Sequence, residues 1–203
     1  RPWGVYGDAI TNATGIPTLV INDFMAISYG IPTLDVDDPN QILKFKHTDG
    51  SEPKPQKATK AVIGPGTGMG VGFLAFDGEK YIPACSEGGH STFAPFDKET
   101  QDFRDYMEKR IGTVPGVEPL VSGMGLAHLY EWWRDTKGVP QNDAFKKIEE
   151  TDWHDRPKYI SRASDTDPVA AEMMRMFVKM LARFASDAAA LFLPRGGVCG
   201  GAR

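Results

Sequence analysis

Four short stretches hold the residue types from which a reactive site can be built. The longest is GPGTGMG, Gly64 to Gly70, and with Gly72 it places a glycine at every second position. Gly64, Gly66, Gly68, Gly70 and Gly72 strip Cβ atoms from the backbone and leave Thr67 as the only hydroxyl, so amide N–H groups there can close on phosphate oxygens. A tight turn with a bulge would use the same residues. The stretch lacks the Lys-Ser/Thr ending of a P-loop and leads into a strand instead of a helix, which removes the Walker reading. Asn22 and Asp23 set an amide beside a carboxylate, or else form a turn or a helix cap. Glu87-Gly88-Gly89-His90 offers a carboxylate and an imidazole, or a polar turn. Glu118 precedes Ser122-Gly123-Met124-Gly125, a helix start whose free amides can receive an anion.

The elements around these stretches can be read from periodicity. TLVI (18–21) predicts a short buried strand ending at Asn22, and residues 35–58 predict a surface loop rich in Pro, Gly, Asp and Lys. KAVI (60–63) and VGFLAF (71–76) are strands on either side of the glycine run, and Asp77-Gly78 predicts a hairpin turn into EKYIPAC (79–85). Asp97 caps a helix with Phe103, Met107 and Ile111 on one face and Gly112 as its stop. Ser122 caps a second, with Leu126, Leu129, Tyr130 and Trp133 on one face and Gly138 at its end. Asp167-Pro168 opens a third of about 25 residues, roughly 38 Å at 1.5 Å per residue. Its stripe of Val169, Met173, Phe177, Met180, Leu181, Phe184, Ala188 and Leu191 predicts core packing. Strands mixed with long amphipathic helices define an α/β class.

Composition sets the outer limits. A chain of 203 residues, 41% hydrophobic and 25% charged, can bury a core, and nothing in it predicts disorder. A net charge of -4 without clustered Lys and Arg argues against nucleic acid as a partner. No apolar run approaches the roughly 18 residues of a membrane span, so no membrane role is expected. Cys85 and Cys199 are the two cysteines, without metal-site spacing, which suits a reducing compartment; the cytoplasm is the expected location.

Taken together and in order, Asn22-Asp23-Phe24, Gly64 to Gly70, Glu87 to His90 with Phe93-Ala94-Pro95, Glu118 and Ser122 to Leu126 resemble the bacterial-type glucokinases of the hexokinase, actin and Hsp70 superfamily. The resemblance runs from about residue 19 to the end of the long helix. It implies the actin-like ATPase (ribonuclease H-like) fold, mostly its large domain, with residues 1–20 as a remnant of the small domain and 21–203 as a large domain incomplete at its C-terminus. It implies transfer of the ATP γ-phosphoryl group, with Mg2+, to the 6-hydroxyl of D-glucose. Asp23 would then be the general base; Asn22, Asp23, Glu87, His90 and Glu118 would hold the sugar; Gly64, Gly66, Thr67 and Gly68 would meet the phosphates. No metal-ligating set is assigned, and a homodimer is left open. ROK-type sugar kinases are close kin but carry a zinc-binding His and Cys cluster that this sequence lacks. The family's N-terminal D-x-G-G-T-N turn does not occur here, and RGGVCGGAR (195–203) resembles a shortened adenosine-binding segment. The alternative is a non-enzymatic fragment or sugar-binding module without nucleotide chemistry.

Overall fold

The computed structural model describes residues 4–201, apart from the Cys85 side chain. Its centre is a four-stranded mixed sheet in the order β3-β2-β1-β4. Strands β1 (Lys60–Pro65) and β2 (Met69–Phe76) form an antiparallel hairpin, with Gly64 opposite Gly70 and Val62 opposite Gly72. Strand β3 (Tyr81–Ser86) follows from the Asp77-Gly78 turn and pairs antiparallel with β2. Strand β4 (Val198–Gly200) lies parallel to β1. It was not foreseen, because three residues between glycines show no alternation; its last two neighbours in sequence, Ala202 and Arg203, lie outside the described residues.

Side chains alternate across the hairpin, so its two faces differ. One face is glycine at 64, 70 and 72, and helix α2 (Asp23–Gly30) lies on it. The other carries Val71 and Phe73 toward the long helix α7 (Pro168–Phe192), where Phe73 stacks on Phe192 at 5.0 Å. The rest of the core lies among helices α3 (Lys98–Ile111), α4 (Gly123–Thr136), α5 (Asp143–Glu150), α6 (Arg156–Ala163) and α7, around Phe103, Tyr130, Ile148, Ile160, Met173 and Met180.

The three expected helices have the expected caps. Asp97 and Thr100 make a reciprocal capping box, Ser122 Oγ accepts from the Gly125 N–H, and Asp167 accepts from Val169 and Ala170 ahead of the 25-residue α7. The methionine stripe of α7 is core, as expected. Two face positions are corrected: Ile111 and Leu191 are exposed, each in the last turn of its helix.

Residues 18–21 are also corrected. They form no strand, and Leu19 is 83% exposed. No strand pairs with them among the described residues; instead the Thr18 N–H donates to Thr11 Oγ1 on helix α1 (Gly7–Thr14). An apolar run acquires strand geometry only where a neighbour completes its hydrogen bonds. Residues 35–58 are irregular, as expected.

Candidate functional site

The glycine run is the hairpin itself. Pro65 pairs with Met69, and the Gly66 N–H donates to the Gly68 carbonyl at 2.8 Å, so Gly66-Thr67-Gly68 forms the tip. Three glycines serve packing. A methyl carbon at Gly64 would lie 2.7 Å from Phe24 Cε2, one at Gly70 would lie 2.5 Å from the same atom, and Gly72 faces the same ring. Phe24 therefore rests on bare backbone, which brings α2 down onto the sheet. Gly68 makes room for Glu118, whose Cδ would be 2.9 Å from an added Cβ. Only Gly66 has open space within 4 Å, and Thr67 beside it is exposed.

The polar groups are presented by turns and by one helix start. Asn22 caps α2 by accepting the Met25 N–H at 3.0 Å. Both readings of that residue thus meet, since the cap aims the exposed Asp23 carboxylate from the first residue of the helix. Glu87 and His90 flank a single 3-10 turn, Gly88–His90, with Nε2 and Oε2 3.5 Å apart. Both side chains are exposed, at 90% and 65%, so neither spends its polarity on the interior. Glu118 is half-buried: its Oε2 accepts the Met69 N–H at 2.8 Å, and its own N–H donates to the Gly89 carbonyl at 2.9 Å.

These groups converge. One cleft of about 730 Å³ is lined by Asn22, Asp23, Glu87, His90 and Glu118, and also by Gly64, Gly66, Thr67 and Gly68. Gly64 lines it too, with the space a Cβ would occupy filled by Phe24 and the Gly201 carbonyl. The hydroxyl, amide, imidazole and three carboxylates around one opening form a set of acceptors and donors suited to a polyhydroxylated molecule.

A second cleft, of about 530 Å³, shares the same tip. Gly66 and Thr67 form part of its wall, with Gly123 and Met124 at the start of α4 and Trp153, Lys158 and Arg162 opposite. The Gly123 N–H donates to the Gly66 carbonyl at 2.7 Å, fixing the tip to the helix. Behind this cleft His128 donates from Nδ1 to the Pro119 carbonyl at 2.9 Å and packs against Trp153; burial pulls its pKa down. A helix N-terminus and two cations, opposed by the one carboxylate of Asp155, leave this side a balance that favours an anion. Sequence reading missed Lys158 and Arg162 because α5 and α6 were missed. The signals were present: Asn142 caps α5, Phe145 and Ile148 are three apart, and Pro157 stands in the first turn of α6.

Solved structures share this fold. A glucokinase from an Antarctic psychrotroph superposes with a TM-score of 0.69 at 28% identity, over 91% of this chain and 52% of that one. A ROK family glucokinase from Streptomyces griseus, solved in complex with glucose and AMPPNP, gives 0.60 at 20% identity, over 97% and 55%. The fold is thus the actin-like ATPase fold in the form that sugar kinases carry. The family model for glucokinase matches residues 1–202, and the chain belongs to the glucokinase family. Among curated relatives, the glucokinase of Marinobacter nauticus is 35% identical over 186 residues, covering 90% of this chain and 52% of its own length. The chain spans about half the length of the curated relatives it matches. Among the described residues, no helix is long and apolar enough to cross a membrane.

Proposed function

We propose that the protein carrying this chain transfers the γ-phosphoryl group of Mg-ATP to the 6-hydroxyl of D-glucose, giving ADP and glucose 6-phosphate. The observation that carries the proposal is the shared tip: Gly66 and Thr67 belong both to the cleft of carboxylates, amide and imidazole and to the cleft with Lys158, Arg162 and the start of α4. Phosphoryl transfer depends on positioning two substrates in line and on neutralising charge, so two compartments meeting at one donor-rich wall suit it.

In this reading Asn22, Glu87, His90 and Glu118 hold the sugar hydroxyls. Asp23 accepts the proton of the 6-hydroxyl as that oxygen attacks the γ-phosphorus and the bond to ADP breaks; such a base is typically worth about 10² to 10⁴ in rate. Gly66, Thr67 and Gly68 receive the phosphates, with Gly64 behind them. Magnesium would come with the nucleotide substrate and would supply neutralisation of phosphate charge; no cluster of His, Cys, Asp and Glu among the described residues is assigned to hold it. Residues 1–20 belong to the small domain and 21–203 to the large one, a division supported by helix α1 burying no residue. The reaction is placed in the cytoplasm, where ATP is available.

The test is Asp23→Asn in the full-length protein. An amide still hydrogen-bonds to the sugar but takes no proton. In an assay coupled to glucose 6-phosphate, turnover should fall at least about 100-fold while glucose affinity stays within a few-fold. Turnover close to the parent's would remove Asp23 from this role.

A further inference from the structure

Glu118 is joined to three separate segments. Its carboxylate accepts from Met69 at the glycine tip, its N–H donates to Gly89 in the Glu87–His90 turn, and its carbonyl accepts the Ser122 hydroxyl at 2.7 Å, at the cap of α4. Gly89 in turn packs on Met69: an added Cβ would lie 3.1 Å from the Met69 carbonyl carbon. Of the two carboxylate oxygens, Oε2 holds the Met69 N–H, while Oε1 makes no hydrogen bond among the described residues and the side chain lines the larger cleft.

We infer that Glu118 is a positioning residue that makes the glycine tip sense the sugar. This rests on the function proposed above and adds to it a direct linkage between the two substrates. With Oε1 free, one hydrogen bond orients a half-buried carboxylate. A sugar hydroxyl donating to Oε1 adds a second, and that locks Oε2 on the Met69 amide and with it Gly66 to Gly68. If Glu118 turns away, the Met69 N–H loses its partner and the tip loosens. A ligand biases such an element only by contacting one of its states better, and sugar on Oε1 does so. The effect is reciprocal: nucleotide held by an ordered tip tightens sugar binding by the same factor.

The experiment uses the full-length protein and measures AMPPNP affinity with and without saturating glucose, then glucose affinity with and without AMPPNP. Each ligand should tighten the other about tenfold, within the usual range of coupling between sites. Glu118→Asp draws the carboxylate back by about 1.5 Å, too far to span both partners, and should lower the factor below about twofold. Glu118→Gln keeps an oxygen for the Met69 N–H but turns the Oε1 acceptor into an NH2 that can only donate to the sugar oxygen, so it should retain part of the factor, more than Glu118→Asp retains, an order that loss of general stability would not produce. Hydrogen exchange gives an independent reading in the parent protein, where glucose should slow exchange of the Met69 amide. An undiminished factor in Glu118→Asp, or unchanged Met69 exchange in protein that binds glucose, overturns the linkage. Parent protein that binds neither ligand overturns the proposed function, and the linkage with it.

Discussion

Replacing Gly70 by alanine tests whether the alternating glycines exist to seat Phe24. The added carbon would lie 2.5 Å from Phe24 Cε2 and 3.0 Å from Cγ, against about 3.4 Å for ordinary contact. The ring must withdraw by about 1 Å. Forced repacking of that size costs about 1–3 kcal/mol. Phe24 follows Asp23 in the first turn of α2, so the carboxylate moves too, and a displacement of about 1 Å is enough to lower turnover by roughly 10². Gly66→Ala is the control: no atom lies within 4 Å and the backbone there is not left-handed. It should leave stability within about 0.5 kcal/mol, because alanine fits and also restricts the unfolded chain. Urea denaturation of the two variants, with the coupled glucose 6-phosphate assay, makes the comparison. Adding Phe24→Ala to Gly70→Ala should return part of the lost stability, a non-additive coupling of about 1 kcal/mol. Equal stability of the Gly70 and Gly66 variants, or no coupling with Phe24, would refute the seating argument.

Glu87→Ala should weaken glucose binding by about 1–3 kcal/mol in calorimetry with the melting temperature nearly unchanged, since the side chain is exposed; unchanged affinity would return the Glu87–His90 segment to a plain turn. Lys158→Ala with Arg162→Ala should weaken AMPPNP by about 1 kcal/mol, less at high salt, and leave glucose affinity alone. Asp97 has its pKa lowered below 3.8, chiefly by the Thr100 N–H that it caps, so its contribution is present above the unfolded value and is lost as pH falls through the folded one. Asp97→Ala should cost about 1 kcal/mol at pH 7 and less near pH 3, while Asp97→Asn, which still accepts from Thr100, should remove that part of the acid dependence.

The parts legible in advance are those set by local chemistry. Asp97, Ser122 and Asp167 cap helices because short oxygen-bearing side chains satisfy free amides, whatever the tertiary structure. Asp77-Gly78 makes its turn for equally local reasons. Residues 18–21 misled because strand character needs a partner, and the Thr18 N–H turns instead to Thr11 on α1. The nine site residues stood out by type and took their roles from the resemblance, while their meeting around one cleft is tertiary information. The glycine spacing was read as exposure to a ligand; in three dimensions the period of two puts Gly64, Gly70 and Gly72 under Phe24 and leaves only the tip open. Lys158 and Arg162 escaped because a charged pair four apart on a short helix is common on any surface. Only the position of α6 against the tip separates this pair from the others.

The frame beneath the cleft is mostly main chain joined to main chain: Gly66 to Gly123, Gly89 to Glu118, Pro65 to Met69. The side chains it holds out, Asp23, Glu87, His90 and Thr67, are exposed. Exchanging such groups usually changes stability by less than about 0.5 kcal/mol, whereas altering the frame inserts atoms where none fit. Under the proposed function, preference among ring hydroxyls can therefore be redirected one substitution at a time without unfolding the molecule on the way. A frame held by backbone passes on its geometry while leaving the contacts at its rim free to change.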